Sequence, residues 1–252
     1  MPTPYLARLI APTALLLISA GAFAQETVAP DVHGLGLLVR ADMQPYTGAG
    51  TKVSAMPLLD VDNQWLRFFA TTLDLKLHTA KASSVFLRAT YADTGYKPGD
   101  SAALAGMAER KNSVWLGAKG EWRTSMAQLS GEWLADAANH SKGQQIKIMA
   151  ETLAHLGPVG IVPRVALVWQ DHKYVNYHFG VGASEARAGR QAYGGKAALN
   201  TELGVQLFQK LTPHQSVFLD LGATALDASI KASPLVDRQW VSALRVGYVY
   251  RF

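Results

Sequence analysis

The chain contains no cysteine among its 252 residues, so no disulfide can stabilise the fold. It also lacks a long apolar run: after residue 24, nothing approaches the ~20 apolar residues that a membrane-spanning helix requires. Only 17% of the residues are charged, and the net charge of +5 is not gathered into a Lys/Arg run. These absences argue against a disulfide-stapled domain, a helical membrane protein and a nucleic-acid-binding protein.

The amino terminus has the features of a secretory signal peptide. Arg8 precedes a short apolar segment, residues 14–20, and Ala22-Phe23-Ala24 is a small-x-small cleavage site. We therefore predict a signal peptide at Met1–Ala24 and one domain over residues 25–252. For an exported chain that crosses a membrane without an apolar helix, a closed β-barrel remains, because lipid cannot satisfy the open edge of a sheet.

The last segment, Trp240 to Phe252, alternates between two kinds of residue. One set includes the aromatic residues Tyr248, Tyr250 and Phe252, and the other includes Arg245 and Arg251. A strand directs alternate side chains to opposite faces, so this pattern gives one apolar face and one polar face. A terminal aromatic on such a strand resembles the signal that the barrel-assembly machinery of bacterial outer membranes recognises. An amphipathic edge strand in a soluble β protein is the alternative.

The same alternation recurs along the chain, separated by connections of two lengths, as in outer-membrane barrels. A consistent alternation of short and long connections requires residues 64–78 to form two strands, near Trp65–Ala70 and Leu73–His78. The sequence therefore predicts an all-β fold, an antiparallel up-and-down transmembrane β-barrel of about 12 strands. Without that pair of strands the number would be 10.

Six short motifs follow one another along the chain: Met56–Asp60, Arg67–Ala70, Phe179-Gly180-Val181 with Tyr193, Leu211–His214, Ser233–Val236 and Tyr250-Arg251-Phe252. In sequence and order they resemble the MipA/OmpV family (MltA-interacting protein/OmpV) of Gram-negative outer-membrane proteins. Two departures are His178, where the family has a tyrosine, and Thr71-Thr72-Leu73, where the family has a glycine-rich turn.

This resemblance implies an outer-membrane barrel without catalytic residues, cofactor or metal. It further implies a scaffold in the cell envelope, which links a periplasmic lytic transglycosylase to a penicillin-binding peptidoglycan synthase, or a role in the envelope stress response. Two alternatives stay open: a small-solute channel, and a hydrolase at the barrel rim that uses Asp171 and His172.

Inward-facing charges lead to a hypothesis about the lumen. If Asp227 pairs with Arg238, the register places Asp220 opposite Arg245. A turn near residues 79–83 likewise places Asp74 opposite Arg88. Such pairs would bridge the inner wall with each charge satisfied.

The longest connection, residues 172–196, is rich in aromatic and cationic side chains that suit recognition, including contacts with lipopolysaccharide phosphates and outer-membrane lipid. An equally open alternative is that the aromatic residues only pack this loop over the barrel mouth. The candidates are Tyr174, Tyr177, Phe179, Arg187, Arg190 and Tyr193.

Overall fold

The computed structural model describes residues 31–252, so the predicted signal peptide lies outside the described residues. Two short helices, α1 (His172–Phe179) and α2 (Ala228–Lys231), lie between strands, and no described helix is long and apolar enough to span a membrane. The strand segments are β1 (Val32–Met43), β2 (Thr51–Asp62), β3 (Leu66–Phe69), β4 (Thr72–Thr79), β5 (Ser83–Ala92), β6 (Ser113–Arg123), β7 (Gln128–Asp136), β8 (Gln144–Glu151), β9 (Ala154–Leu156), β10 (Val159–Gln170), β11 (Ala198–Lys210), β12 (Gln215–Ala225) and β13 (Trp240–Arg251).

The strands form one antiparallel sheet that closes on itself where β13 pairs with β1. Segment β9 continues β8 in the wall, because both pair with β10 in one register. The interruption lies opposite Pro163, whose carbonyl accepts a bond from the Thr152 N–H but which has no N–H to donate in return. The wall therefore has twelve strands, and the predicted barrel of about 12 strands is confirmed.

The division of residues 64–78 into two strands is confirmed by the hairpin of β3 and β4. Its two-residue turn is Ala70-Thr71, where Ala70 has a φ of 55°. Tight hairpin turns require such a left-handed residue, and glycine usually supplies it. The sequence indicates this turn only weakly, because alanine rather than glycine occupies the left-handed position. Since β3 has only four residues, this hairpin is much shorter than its neighbours.

Strand alternation sorts apolar from polar side chains as the sequence predicted. On β13, Tyr248 and Tyr250 are exposed on the outer surface, as is Phe252 directly after the strand, whereas Arg245 and Arg251 contact lumen carboxylates. Exposed Leu, Val and Ile side chains cover the outside of the other strands. Aromatic side chains lie near both ends of this belt, among them Tyr91, Trp169 and Trp240 at one end and Trp65, Trp122 and Phe252 at the other.

The two ends of the barrel differ in their connections. Strand β1 begins and β13 ends at the end with the short connections, which we name the short-turn end. The opposite end, named the long-loop end, carries the connections at residues 44–50, 93–112, 137–143, 171–197 and 226–239. Both helices belong to these long loops, which fold over the mouth of the barrel.

Candidate functional site: a charged lumen beneath a closed mouth

The first lumen cluster is centred on Arg88 of β5. Its Nε and Nη2 atoms donate to the two carboxylate oxygens of Asp74 on β4, both at 2.7 Å. Its Nη1 atom also pairs with Glu132, which lies two strands away on β7. The Asp74 carboxylate is almost completely buried, so its charge is balanced by the bidentate contact with the Arg88 guanidinium rather than by water. The structure thus brings the predicted partners Asp74 and Arg88 together and adds a third member.

The second cluster is centred on Asp220 of β12, which lies directly opposite Arg245 of β13. Arg245 Nη1 donates to Asp220 Oδ1 at 3.1 Å. Arg164 of β10 makes the more extensive contact with Asp220: its Nη1 and Nη2 atoms donate to the two carboxylate oxygens at 2.6 and 3.0 Å. Arg164 crosses β11 at Gly204, where a Cβ would lie 2.7 Å from the guanidinium carbon. A larger residue at position 204 would therefore displace the Arg164 guanidinium from this crossing.

A third cluster surrounds the buried carboxylate of Glu121 on β6. Lys119 Nζ lies 2.7 Å from it, and Arg67 and Arg123 approach to 3.6 and 3.7 Å. Arg67 belongs to β3, three strands away, and its guanidinium also lies 5.1 Å from the centre of the Phe86 ring. These contacts join distant parts of the wall through the interior. Charges of both signs are interleaved, which argues against a strongly ion-selective passage.

The mouth at the long-loop end is filled by an apolar cluster that we name the cap core. It combines residues from four of the long loops with the inward-facing ends of several strands. Its members are Tyr46, Ala49, Tyr96, Leu104, Met107, Trp115, Leu134, Tyr174, Val175, Phe179, Val181, Ala198, Leu226, Ile230, Leu235 and Val236. Burial of this many apolar side chains orders the loops as a lid on the lumen.

The predicted recognition residues of the long loop separate into two groups. Tyr174 and Phe179 belong to the cap core, and the half-buried Tyr193 packs against it. Arg190 is buried and donates from Nη1 to the carbonyl oxygens of Ala103 and Ala105, at 2.7 and 2.9 Å. These four side chains join the loops to one another. Arg187 is exposed and Tyr177 is half-buried, and both also contact the loop before β6: Arg187 Nη2 donates to the Ala102 carbonyl at 3.0 Å, and the Tyr177 hydroxyl accepts the Lys111 N–H at 2.8 Å.

His178 is a cap residue that the sequence comparison marked only as a departure from the family. It is buried between Tyr174, whose ring centre is 4.5 Å away, and Tyr177, at 5.0 Å. Its Nδ1 atom has no hydrogen-bond partner within residues 31–252. Burial, reinforced by the nearby Arg110 charge, lowers the pKa of His178 to about 4. The imidazole is therefore neutral at pH 7.

Asp171 and His172, the residues considered for a rim hydrolase, lie at the start of helix α1. Asp171 and His172 do not continue β10: Asp171 caps helix α1 by accepting the Tyr174 N–H at 2.8 Å, and His172 is exposed. An aspartate at this position stabilises the helix start. Among residues 31–252, no group of three or more His, Cys, Asp or Glu is placed to hold a metal.

The proposed assembly residues lie on the closing strand. Tyr248 and Tyr250 project outward from β13, and the Phe252 N–H donates to the His33 carbonyl at 2.9 Å across the closing seam. Tyr250 and Phe252 contact each other edge to face, with ring centres 5.5 Å apart. The aromatic triplet therefore lies at the short-turn rim, where the first and last strands meet.

Sequence reasoning did not identify Arg164, Glu132 or Glu121, although all three organise the lumen. Arg164 alternates with Val165 and Leu167 on its strand, so its inward direction could be predicted from the sequence. Its partner Asp220 could not be predicted, because the contact between them passes over an intervening strand.

A closed barrel with an apolar belt outside and ion pairs inside defines a β-barrel protein of the outer membrane. The profile of the family described as MltA-interacting protein MipA matches residues 34–252. The chain therefore belongs to the MipA/OmpV family of outer-membrane proteins, and the predicted family and location are confirmed.

The chain is similar to several outer-membrane proteins. Outer membrane protein OmpV of Vibrio cholerae is 28% identical over 185 residues, which cover 72% of this chain and 69% of OmpV. Omp26La of Vibrio anguillarum is 29% identical over 59% of each chain, and the putative outer membrane protein YiaT of Escherichia coli is 20% identical over 82% of this chain and 86% of YiaT.

Two solved barrels are also similar to this chain. An outer-membrane channel from Pseudomonas putida matches with a TM-score of 0.43 and 13% identity, over 92% of this chain and all of the other. The NanC porin matches with the same TM-score and 11% identity, over 90% of this chain and all of the porin.

Proposed function

We propose that the protein is a non-enzymatic interaction protein of the cell envelope that works through its short-turn end. Short turns of outer-membrane barrels lie in the periplasm and long loops outside the cell. The family is described by an interaction with MltA. By analogy, this chain binds periplasmic peptidoglycan-remodelling enzymes, namely a lytic transglycosylase and a penicillin-binding synthase.

A recess at the short-turn end is the observation that carries this proposal. Its volume is about 410 Å³, and its lining combines Arg123 and Glu151 with Met126, Leu153 and Phe208. Met126, at the tip of the turn between β6 and β7, has 82% of its surface exposed. An exposed apolar tip beside charged groups suits a protein partner, because apolar side chains form the centre of protein interfaces and charged side chains form the rim.

A binding experiment with a matched pair of variants tests the proposal. Full-length protein in detergent is immobilised, and purified lytic transglycosylase and penicillin-binding synthase are passed over it. We expect Met126→Asp to weaken binding about tenfold, because it places a charge at the apolar tip; this equals ~1.4 kcal/mol. Ser184→Asp, on an exposed loop at the opposite end, is the control and leaves binding unchanged. If the unmodified protein binds neither enzyme, the scaffold function is wrong.

A small-solute channel is the second candidate, favoured by water access in the lumen. The side chains of Arg245 and Glu202 keep 38% and 34% of their surface exposed, although both are ion-paired. Liposomes that contain the purified barrel and swell in small sugars at porin-like rates would support the channel. Swelling no faster than in empty liposomes would support the interaction protein.

A further inference from the structure

An open recess at the long-loop end is lined by basic side chains and by no carboxylate of residues 31–252. It lies between the loop at residues 137–143 and the start of helix α1, and its volume is about 510 Å³. We name it the cationic recess. Four of its lining side chains are basic: Arg110, Lys142, His172 and Lys173. A neighbouring recess beside Lys97 differs, because Asp100 and Glu109 also line it and charges of both signs meet there.

The fold brings the two halves of the cationic recess together. A Cβ on Gly143 would lie 2.8 Å from the main-chain nitrogen of Tyr174, so the loop after β7 packs directly against the first turn of α1. Lys142 and Lys173 immediately precede these two residues in contact. Both lysine side chains therefore line the same recess, although they come from different loops.

Lys142 has a backbone conformation that lysine rarely adopts. Its φ is 55°, in the left-handed region that favours glycine and asparagine. The Asp136 carboxylate holds this turn, because its Oδ2 atom accepts the N–H of Ser141 at 2.5 Å and that of Lys142 at 3.1 Å. The main chain at Lys142 is thus fixed, and contact with a ligand would offset the backbone cost of a lysine at this position.

The charges of Lys142 and Lys173 are not balanced by the surrounding carboxylates. Both lysines are exposed, and neither forms an ion pair with any residue between 31 and 252. Asp171 is buried and accepts the N–H at the start of α1, and Glu185 pairs with Arg110 at 3.1 Å. Two positive charges are therefore available at the cationic recess.

A phosphate ester matches this arrangement by charge. A phosphate monoester carries about −1.5 to −2 charges at pH 7, which two lysines can balance, and lysine is a common phosphate ligand in proteins. A single carboxylate would leave one of the two lysines without a partner. The exposed Asn176 also lines the recess, and its amide can donate to or accept from sugar hydroxyl groups. These features favour a phosphorylated saccharide.

We propose that the cationic recess binds the phosphate group of a phosphorylated saccharide, with Lys142 and Lys173 as the main contacts. The saccharide belongs either to a glycolipid of the outer leaflet or to a soluble sugar phosphate, since both present the same group. These lysines take the place of Arg190, a predicted recognition residue that is buried among loop carbonyls. The recess lies at the opposite end of the barrel from the proposed enzyme-binding recess, so either proposal can fail without the other.

Two binding experiments on the full-length barrel in non-ionic detergent test the site. Calorimetric titration with glucose 6-phosphate, compared with glucose, tests the soluble ligand, and native mass spectrometry with diphosphoryl lipid A tests the glycolipid. In at least one of them we expect saturable binding of one molecule per barrel. The double variant Lys142→Gln/Lys173→Gln should weaken it about tenfold or more, because two charge-assisted contacts are lost. Heat-modified gel mobility verifies that each variant is folded.

A matched double variant controls for net charge. Lys97→Gln/Lys231→Gln removes two exposed lysines at the same end of the barrel but outside the cationic recess, and it should leave binding unchanged. Equal weakening by the two double variants would indicate a general attraction between charges and would overturn the site. It would also be overturned if the unmodified barrel bound neither ligand, or bound glucose as tightly as glucose 6-phosphate without binding lipid A.

The same experiments identify the source of the phosphate. Saturable binding of lipid A alone, lost in Lys142→Gln/Lys173→Gln, supports the site with a glycolipid as its ligand. Binding of glucose 6-phosphate that is lost in the same variant supports it with a soluble sugar phosphate.

Discussion

The lumen and the cap core occupy the same barrel, but charged contacts hold the first together and apolar packing holds the second. The lumen is crossed by ion pairs such as those of Arg88 and Asp220, whereas the mouth above it is filled with apolar side chains such as Trp115 and Val175. Strands held by ladder hydrogen bonds can carry inward charges, because the wall does not depend on an apolar interior. Loops lack that ladder, and burial of their apolar side chains offsets the entropy of ordering them.

The largest effect should come from breaking the Arg88 cluster. Arg88→Ala leaves Asp74 buried without its partner, and removing one member of a buried pair typically costs ~4 kcal/mol. We expect the denaturant midpoint of the detergent-folded barrel to fall accordingly. Arg187→Ala, in an exposed part of the long loop, is the control and should change the free energy of unfolding by less than ~0.5 kcal/mol. Equal midpoints for both variants would show that the lumen pairs contribute no stability.

The cap core should respond to acid through His178. The pKa of His178 is about 4 in the folded cap and near 6.5 when the loop is open. The cap is therefore fully stable above pH 6.5 and loses up to ~3 kcal/mol as the pH falls toward 4. The protection factor of the Val175 amide, which is its intrinsic exchange rate at each pH divided by the measured rate, should fall over this range in the native protein.

Two histidine variants separate the cause of this acid response. His178→Phe removes the buried titrating group and should abolish the pH dependence of the Val175 protection factor. His172→Phe changes an exposed residue of the same helix and should preserve it. An acid response that persists in His178→Phe would assign the effect to another group.

Within the Asp220 cluster, the two arginines should differ. Arg164 makes two bonds to Asp220 and Arg245 makes one, so we expect Arg164→Ala to cost ~2 kcal/mol and Arg245→Ala ~1 kcal/mol. A double-mutant cycle in urea measures both terms and their coupling. A larger loss for Arg245→Ala would reverse the assignment of Arg164 as the main partner.

The smallest effect on stability is expected outside both regions, at Phe252. Its side chain is exposed at the rim, so Phe252→Ala should change the free energy of unfolding by less than ~1 kcal/mol. If the terminal aromatic is an assembly signal, the amount of folded barrel recovered from outer membranes should nevertheless fall several-fold. Leu199→Ala, at an exposed position on β11, is the control for loss of an outward apolar group. Equal yields would argue against a special role for the terminal residue.

The wall could be predicted from the sequence because alternation and connection length act locally. Once the turns are known, alternation and connection length together place Asp74 beside Arg88 and Asp220 beside Arg245. The contacts of Arg164 and Glu132 could not be predicted, since each depends on a long side chain passing over an intervening strand. Packing of Tyr174 and Phe179 over the barrel mouth was one of two alternatives that the sequence left open. The sequence could not decide between them, because helix α1 is only eight residues long and the burial of these side chains depends on four loops meeting.

Conductance in planar bilayers is the most direct test of an interior that is bridged by ion pairs and closed by a cap. At pH 7, purified full-length protein inserted at single-molecule density should give no steady current above that of the bare membrane. A stable, open-pore conductance at pH 7, with every inserted molecule conducting, would contradict the closed interior.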